Sequence, residues 1–199
     1  MAYPTVSAPY GFLPQNLTGG LPFAGSTRMF RIASGYAANI GYGDPVKLVT
    51  AGGIERDAGT STMTPVGIFL GCTYTDPTLK YKLFSQYWPT GTVASDALAY
   101  VCDDPNAIFK IAVCSTGTTM STLTTAAIGA NAGILNNAAS TTTGNSAVAL
   151  DSTTVATTNT LPLRIIDVVT ETAVTATTFC EVLVRWNATM HQYNNSTGV

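Results

Sequence analysis

Residues 107–114, AIFKIAVC, and 178–187, TFCEVLVRWN, decide the fold class. In the first, Phe109, Ile111 and Val113 alternate with Ile108, Lys110 and Ala112. In the second, Cys180, Val182, Val184 and Trp186 alternate with Phe179, Glu181, Leu183 and Arg185. Successive strand side chains point to opposite faces, so a period of two with both charges on one face reads as a half-buried β-strand. Short runs of the same kind extend outward from these two: RMFRIAS from Arg28, with Phe30 and Ile32 on one face, then PVKLV (45–49), PVGIFLG (65–71), LKYKLFSQYW (79–88), LAYVCD (98–103) and LPLRIIDVVT (161–170). Turn chemistry separates them. TAGGIERDAG (50–59) reads as turn and carries the densest charge cluster, Glu55, Arg56 and Asp57. Asp103-Asp104-Pro105-Asn106 reads as the tight turn of a hairpin between residues 98–103 and 107–114. The best helical candidate, 124–136, is interrupted by Gly129 and Gly133. The expectation is an all-β chain: a single β-sandwich or β-barrel-like domain over 28–190, with strand order and closure left open.

Three stretches differ from this pattern. Residues 1–27 hold four prolines and four glycines with scattered aromatics, so neither a helical nor a strand period survives. This reads as an extended arm that docks on its own domain or on a neighbour, because leaving its aromatics in water is unfavourable. Residues 115–160 are almost wholly Thr, Ser, Ala, Gly and Asn, with Asp151 the only charge; Met120, Leu123, Ile128, Ile134, Leu135, Val148, Leu150 and Val155 pin it as an ordered, loop-rich excursion. Residues 191–199 read as a polar C-terminal tail.

The 199 residues carry a net charge of -2, and only 10% are charged, against about 25% in a typical soluble domain, while 33 are Thr, 25 Ala and 18 Gly. Nine Lys plus Arg against eleven Asp plus Glu cannot form the basic face that phosphate binding requires, which disfavours nucleic acid as a partner. The 46% hydrophobic content disfavours disorder. No apolar run is long enough to span a bilayer, and residues 1–15 lack the basic and apolar regions of a secretory signal, so no membrane association and synthesis in a cytoplasm are expected. Cys72, Cys102, Cys114 and Cys180 fall in no metal-ligand spacing and read as reduced, buried thiols.

Chemistry-bearing groups are sparse. His191, the single histidine, sits in the polar tail without an obvious partner and reads as a solvated residue rather than a general base. Asp103 and Asp104 read as turn residues, with a cation site as the alternative. Gly19-Gly20 and Gly52-Gly53 lack the Lys-Ser/Thr of a phosphate loop. No catalytic residue, cofactor or metal is expected. Tyr81, Tyr87 and Trp88 could form a carbohydrate platform, an interface or core.

APYGFLPQNLTGG, TRMFRIASGYAANIGYGDPVKL, PVGIFLGCTYTDP, QYWPTGTVASD and AYVCDDPNAIFKI together resemble a group of tailed-bacteriophage head decoration, or cement, proteins. The resemblance covers residues 9–112; the Thr-rich stretch and C-terminal strands match it less distinctly. It implies a noncatalytic protein on the exterior of an icosahedral capsid, made in the host bacterial cytoplasm, a homotrimer bound to the major capsid protein. In that setting the candidate partner-binding residues are Tyr3, Tyr10, Phe12 and Phe23 in an arm reaching neighbouring subunits, and Arg28, Arg31, Tyr87 and Trp88, since Arg, Tyr and Trp dominate interface hot spots. Trp88 as core and the arginines as solvated is the competing reading. A minor capsid subunit and a carbohydrate- or receptor-binding module on the virion are the alternative functions.

Overall fold

A computed structural model describes residues 6–169, 172 and 180–199. It is all-β: two mainly antiparallel sheets packed as a sandwich-like domain. The strands are β1 (Leu13–Leu17), β2 (Arg28–Arg31), β3 (Pro45–Leu48), β4 (Ile54–Arg56), β5 (Gly67–Thr75), β6 (Lys82–Ser85), β7 (Leu98–Cys102), β8 (Ala107–Thr116), β9 (Thr119–Met120), β10 (Asn131–Ala132), β11 (Ile134–Leu135), β12 (Ala149–Asp151), β13 (Leu163–Val168) and β14 (Glu181–Trp186).

The first sheet runs β10-β13-β14-β8-β12-β11, with β1 and β9 also paired to β8. β8 is its centre. Leu13–Leu17 pair along its first half, β14 along residues 109–112, and β12 joins in parallel at Val113 and Cys114. The alternation in the sequence explains the packing: Phe109, Ile111 and Val113 face inward against Val182, Val184, Trp186, Leu163 and Ile165, all buried. Phe12 closes this core, edge-on to Phe109 with centroids 5.8 Å apart and 5.0 Å from Trp186.

The second sheet runs β2-β7-β5-β3-β4, with β6 on β5. It curls until its outer strands meet, through a bridge between Ile32 and Ile54. Inside the curl lie Ile32, Ile40, Val46, Ile54, Phe69, Tyr74, Trp88 and Val101, with Trp88 edge-on to Tyr74 at 5.3 Å. The chain therefore has two cores, one inside the curl and one against the first sheet, to which the second sheet also contributes Ile68 and Cys102.

Several expectations change here. Residues 98–103 and 107–114 do not form a hairpin: β7 belongs to the curled sheet and β8 to the other. Alternation at the end of β7 is the reason. Val101 enters the second core, whereas Cys102 and its cross-strand neighbour Ile68 enter the first. The tight turn exists, with the Asp104 carboxylate accepting the Asn106 N–H at 2.7 Å and its carbonyl the Ala107 N–H at 3.1 Å, but it is a corner between sheets. Ile54–Arg56, read as turn, is a strand on β3. Within the 1–27 arm, read as having no strand period, Leu13–Leu17 form β1 in the first sheet and Phe12 is core, so this part docks on its own domain. Gly11 and Gly43 permit this, since a Cβ on Gly43 would lie 2.8 Å from the Phe12 carbonyl, and both have positive φ. The 115–160 excursion is ordered through β9 to β12.

A buried ion pair in the curled-sheet half is hydrogen-bonded to the Thr-rich excursion. Asp44, fully enclosed, accepts the Gly41 N–H at 2.8 Å and the Arg56 Nε–H at 3.0 Å on one oxygen, and the Ser146 hydroxyl at 2.6 Å on the other. Arg56 in turn donates to the Asn137 carbonyl at 2.6 Å. Removing Asp44 leaves Arg56, whose side chain is only 15% exposed, without its counter-charge. Asp44→Ala is expected to lower unfolding free energy by about 3–5 kcal/mol, read by urea denaturation; a loss below about 1 kcal/mol would show that water reaches Arg56.

Candidate functional site

The seam between the sheets opens into a groove of about 580 Å³. Tyr10 and Leu13 come from the N-terminal segment, Leu70 to Cys72 from β5, Phe84 to Gln86 from the β6 region, Tyr100 from β7, and Tyr42 and Asn145 from the loops. The two loops are pinned to each other, Tyr42 accepting from the Ser146 N–H and donating to the Gly144 carbonyl, both at 2.9 Å. Gln86 donates its side-chain amide to Asn145. Aromatic faces with fixed amides and hydroxyls are what a binding groove needs: apolar area for affinity and a few polar groups for orientation. Tyr10 shows how tightly one wall is held. Its hydroxyl donates to the Glu181 carboxylate, which Lys110 Nζ approaches to 3.4 Å. Burial, reinforced by that carboxylate, holds the phenol far above its usual range, so Tyr10 stays a neutral donor.

Beside the groove, β6 lies off the main strand order, paired to β5 alone, and Phe84 on it is 76% exposed. Leu79 and Tyr81 are exposed in the turn leading into it. Three large apolar side chains are thus exposed within six residues, interleaved with the exposed Lys80 and Lys82, and lysines on an edge are a usual defence against strand pairing.

The candidate partner-binding residues divide. Tyr3 lies outside the described residues. Phe12 and Trp88 are fully buried, one in each core, so both serve the fold rather than a partner face. Phe23 is half-buried against the first core. Tyr10 lines the groove. Tyr87 is half-buried and covers Gly144, whose added Cβ would lie 3.1 Å from its ring. Arg31 is exposed on β2. Arg28 is not merely solvated: it pairs with Asp103 at 3.1 Å and sits 5.6 Å from the Tyr193 ring centroid, while the Tyr193 hydroxyl donates to the same carboxylate at 2.7 Å. Burial first, and Asp103 second, push that hydroxyl up to about 12. Asp103 is thus an anchor for the C-terminus as well as a turn residue. The groove residues Tyr42, Tyr100 and Phe84 carried no signal in the sequence, since each stands alone among unrelated neighbours.

The C-terminal tail is docked, contrary to its solvated reading. The Gln192 amide pairs with both backbone groups of Leu48, at 2.6 and 3.2 Å, extending β3 as a strand neighbour would. His191 is fully buried, its Nδ1 accepting the Tyr193 N–H at 3.2 Å. The four cysteines are free and buried, and burial pushes the Cys72 and Cys102 thiols up to about 12. Among the described residues no three His, Cys, Asp or Glu side chains converge as a metal site, and no helix is long and apolar enough to cross a membrane.

Comparison with known proteins adds no relative: no family model, curated protein or solved structure matches the chain.

Desolvation holds the His191 pKa below its ordinary 6.5, partly opposed by the Val66 backbone and by Asp103 and Asp104. The folded state therefore keeps the neutral ring, and the unfolded chain binds the extra proton below about pH 6.5. Its contribution is fully present above that pH and is lost as pH falls toward the folded pKa. Urea midpoints between pH 7.5 and 5 are expected to fall more steeply for the natural chain than for His191→Asn, whose carbonyl can replace Nδ1 as acceptor; parallel curves would mean the ring ionises equally in both states.

Proposed function

We propose that this chain is a noncatalytic structural protein of a phage head, bound to the outer capsid surface as a cement or decoration protein and acting as a homotrimer. The observation that carries the reading is the edge where Leu79, Tyr81 and Phe84 stand exposed between Lys80 and Lys82, beside the aromatic groove, on a domain with few charged residues. The resemblance read from the motifs of residues 9–112 motivates the setting. The major capsid protein is the partner, and the contact is made by this edge rather than by residues 7–17, which are committed to the first sheet. A trimer holds three such edges at high effective concentration, so modest single contacts give durable occupancy. Production in the host cytoplasm agrees with four reduced thiols.

A second reading is favoured by one feature: tyrosines alternating with Gln86, Asn145 and Ser85 around an open groove also suit a glycan, making the protein a carbohydrate-binding module on the virion.

The test is co-sedimentation with capsid shells that lack the protein. The natural chain should pellet at a fixed ratio to the lattice subunit. Phe84→Asp, exposed and therefore harmless to folding, should bind about 30-fold more weakly, the loss expected for a hot spot of about 2 kcal/mol. Retention of the natural chain in the supernatant would overturn the cement reading, and glycan-array binding abolished by Tyr100→Ala would put the second in its place.

A further inference from the structure

On the first sheet, β13 and β14 pair so that Arg164 stands directly opposite Arg185. Like charges in that position repel and ordinarily destabilise a sheet. Among the described residues neither has a carboxylate partner within 4.0 Å: the ion pairs there are Arg28–Asp103, Arg56–Asp44 and Lys110–Glu181. Both are half-buried, and each is held by its Nε. Arg164 donates to the Asn131 side-chain oxygen, and Asn131 is itself buried and fixed by donation to the Thr158 carbonyl at 2.8 Å. Arg185 donates to the Trp186 carbonyl at 3.4 Å. The terminal NH2 groups of both guanidinium forks have no hydrogen-bond acceptor within the described fold. Together with Ile166, Trp186, Asn187 and Ala188 the two arginines line a cavity of about 340 Å³.

In a chain with nine Lys plus Arg, two arginines directly opposite in register, each bonded through its Nε and both lining one cavity, form a receptor for negative charge. Planar forks match the two oxygens of a carboxylate. Ile166 and Ala188 supply the apolar wall that the methylene stem of a glutamate would cover. We propose that this cavity binds a carboxylate side chain presented by an acidic peptide segment of a partner protein. A nucleic-acid backbone fits less well, because two isolated cations on a chain of net charge -2 offer no row of phosphate contacts. The site lies on a sheet face separate from the β6 edge, so it does not depend on how that edge is used.

The probe is an acetylated, amidated hexaglutamate, with hexaglutamine, sodium sulfate and an oligothymidylate as comparators at equal ionic strength, read by NMR of the arginine Nε–H groups. Hexaglutamate is expected to shift Arg164 and Arg185 saturably while hexaglutamine does not. Arg185→Gln should weaken binding at least about tenfold, and Arg185→Lys should also weaken it, because an ammonium is not a fork. Without ligand at low salt, Arg185→Gln should unfold at an equal or higher urea concentration, since it relieves repulsion. The proposal is overturned if hexaglutamate produces no saturable shift, if the Arg164→Gln/Arg185→Gln double variant binds it undiminished, or if sulfate or the oligothymidylate binds more tightly. Earlier unfolding of Arg185→Gln would equally overturn it, by making the pair a structural device.

Discussion

The Asp44 carboxylate is the interaction on which the arrangement of this molecule depends. It is fully enclosed, and its oxygens take hydrogen bonds from Gly41, from Arg56 on β4 and from Ser146 in the Thr-rich excursion, residues separated by about a hundred positions in the chain. A buried charge is tolerable only when every such donor is present, so the excursion, the curled sheet and the loop before β3 must arrive together. Phe12 donates its N–H to Gly43 immediately beside this point, at 3.0 Å, which brings the N-terminal segment into the same unit. The ion pair adds little net free energy compared with an apolar replacement; its effect is to make one assembly of these segments acceptable and its alternatives costly.

Around that node the chain builds two cores rather than one. The corner at Asp103 and Asp104 moves it from the curled sheet to the flatter one, and everything on β8 follows: a first-half pairing with β1, a parallel pairing with β12, and the C-terminal β14. Chain ends and middle thus converge on one strand. Such long-range pairing folds slowly, because loop closure precedes the contacts that reward it. It also creates the seam, and with it the aromatic groove, since no single element contributes more than a few of the groove's residues.

The surface follows the composition. Thr and other uncharged polar residues clothe a β fold with few charges, and the charges present are mostly used inside or across segments, as in Asp44–Arg56 and Arg28–Asp103. Against this background the exposed Phe84 and the opposed Arg164 and Arg185 are two features that the packing of the described residues does not account for.

The sequence by itself determined the local terms. Period-two alternation placed Phe109, Ile111, Val113, Val182, Val184 and Trp186 in a core, and turn residues marked where strands stop, because side-chain direction and backbone preference act within a few residues. It could not tell which strands pair. Asp103-Asp104-Pro105-Asn106 suits a hairpin and a corner equally, and only the inward turn of Cys102 toward a different core separates them. His191 and Gln192 read as solvated tail because nothing nearby in sequence reveals the pocket and the β3 edge that receive them. Phe12 and Trp88 had the chemistry of interface anchors and were used for packing. The groove and the arginine pair were decided by tertiary structure alone, since proximity between distant residues is a property of register and topology, which local periodicity does not encode.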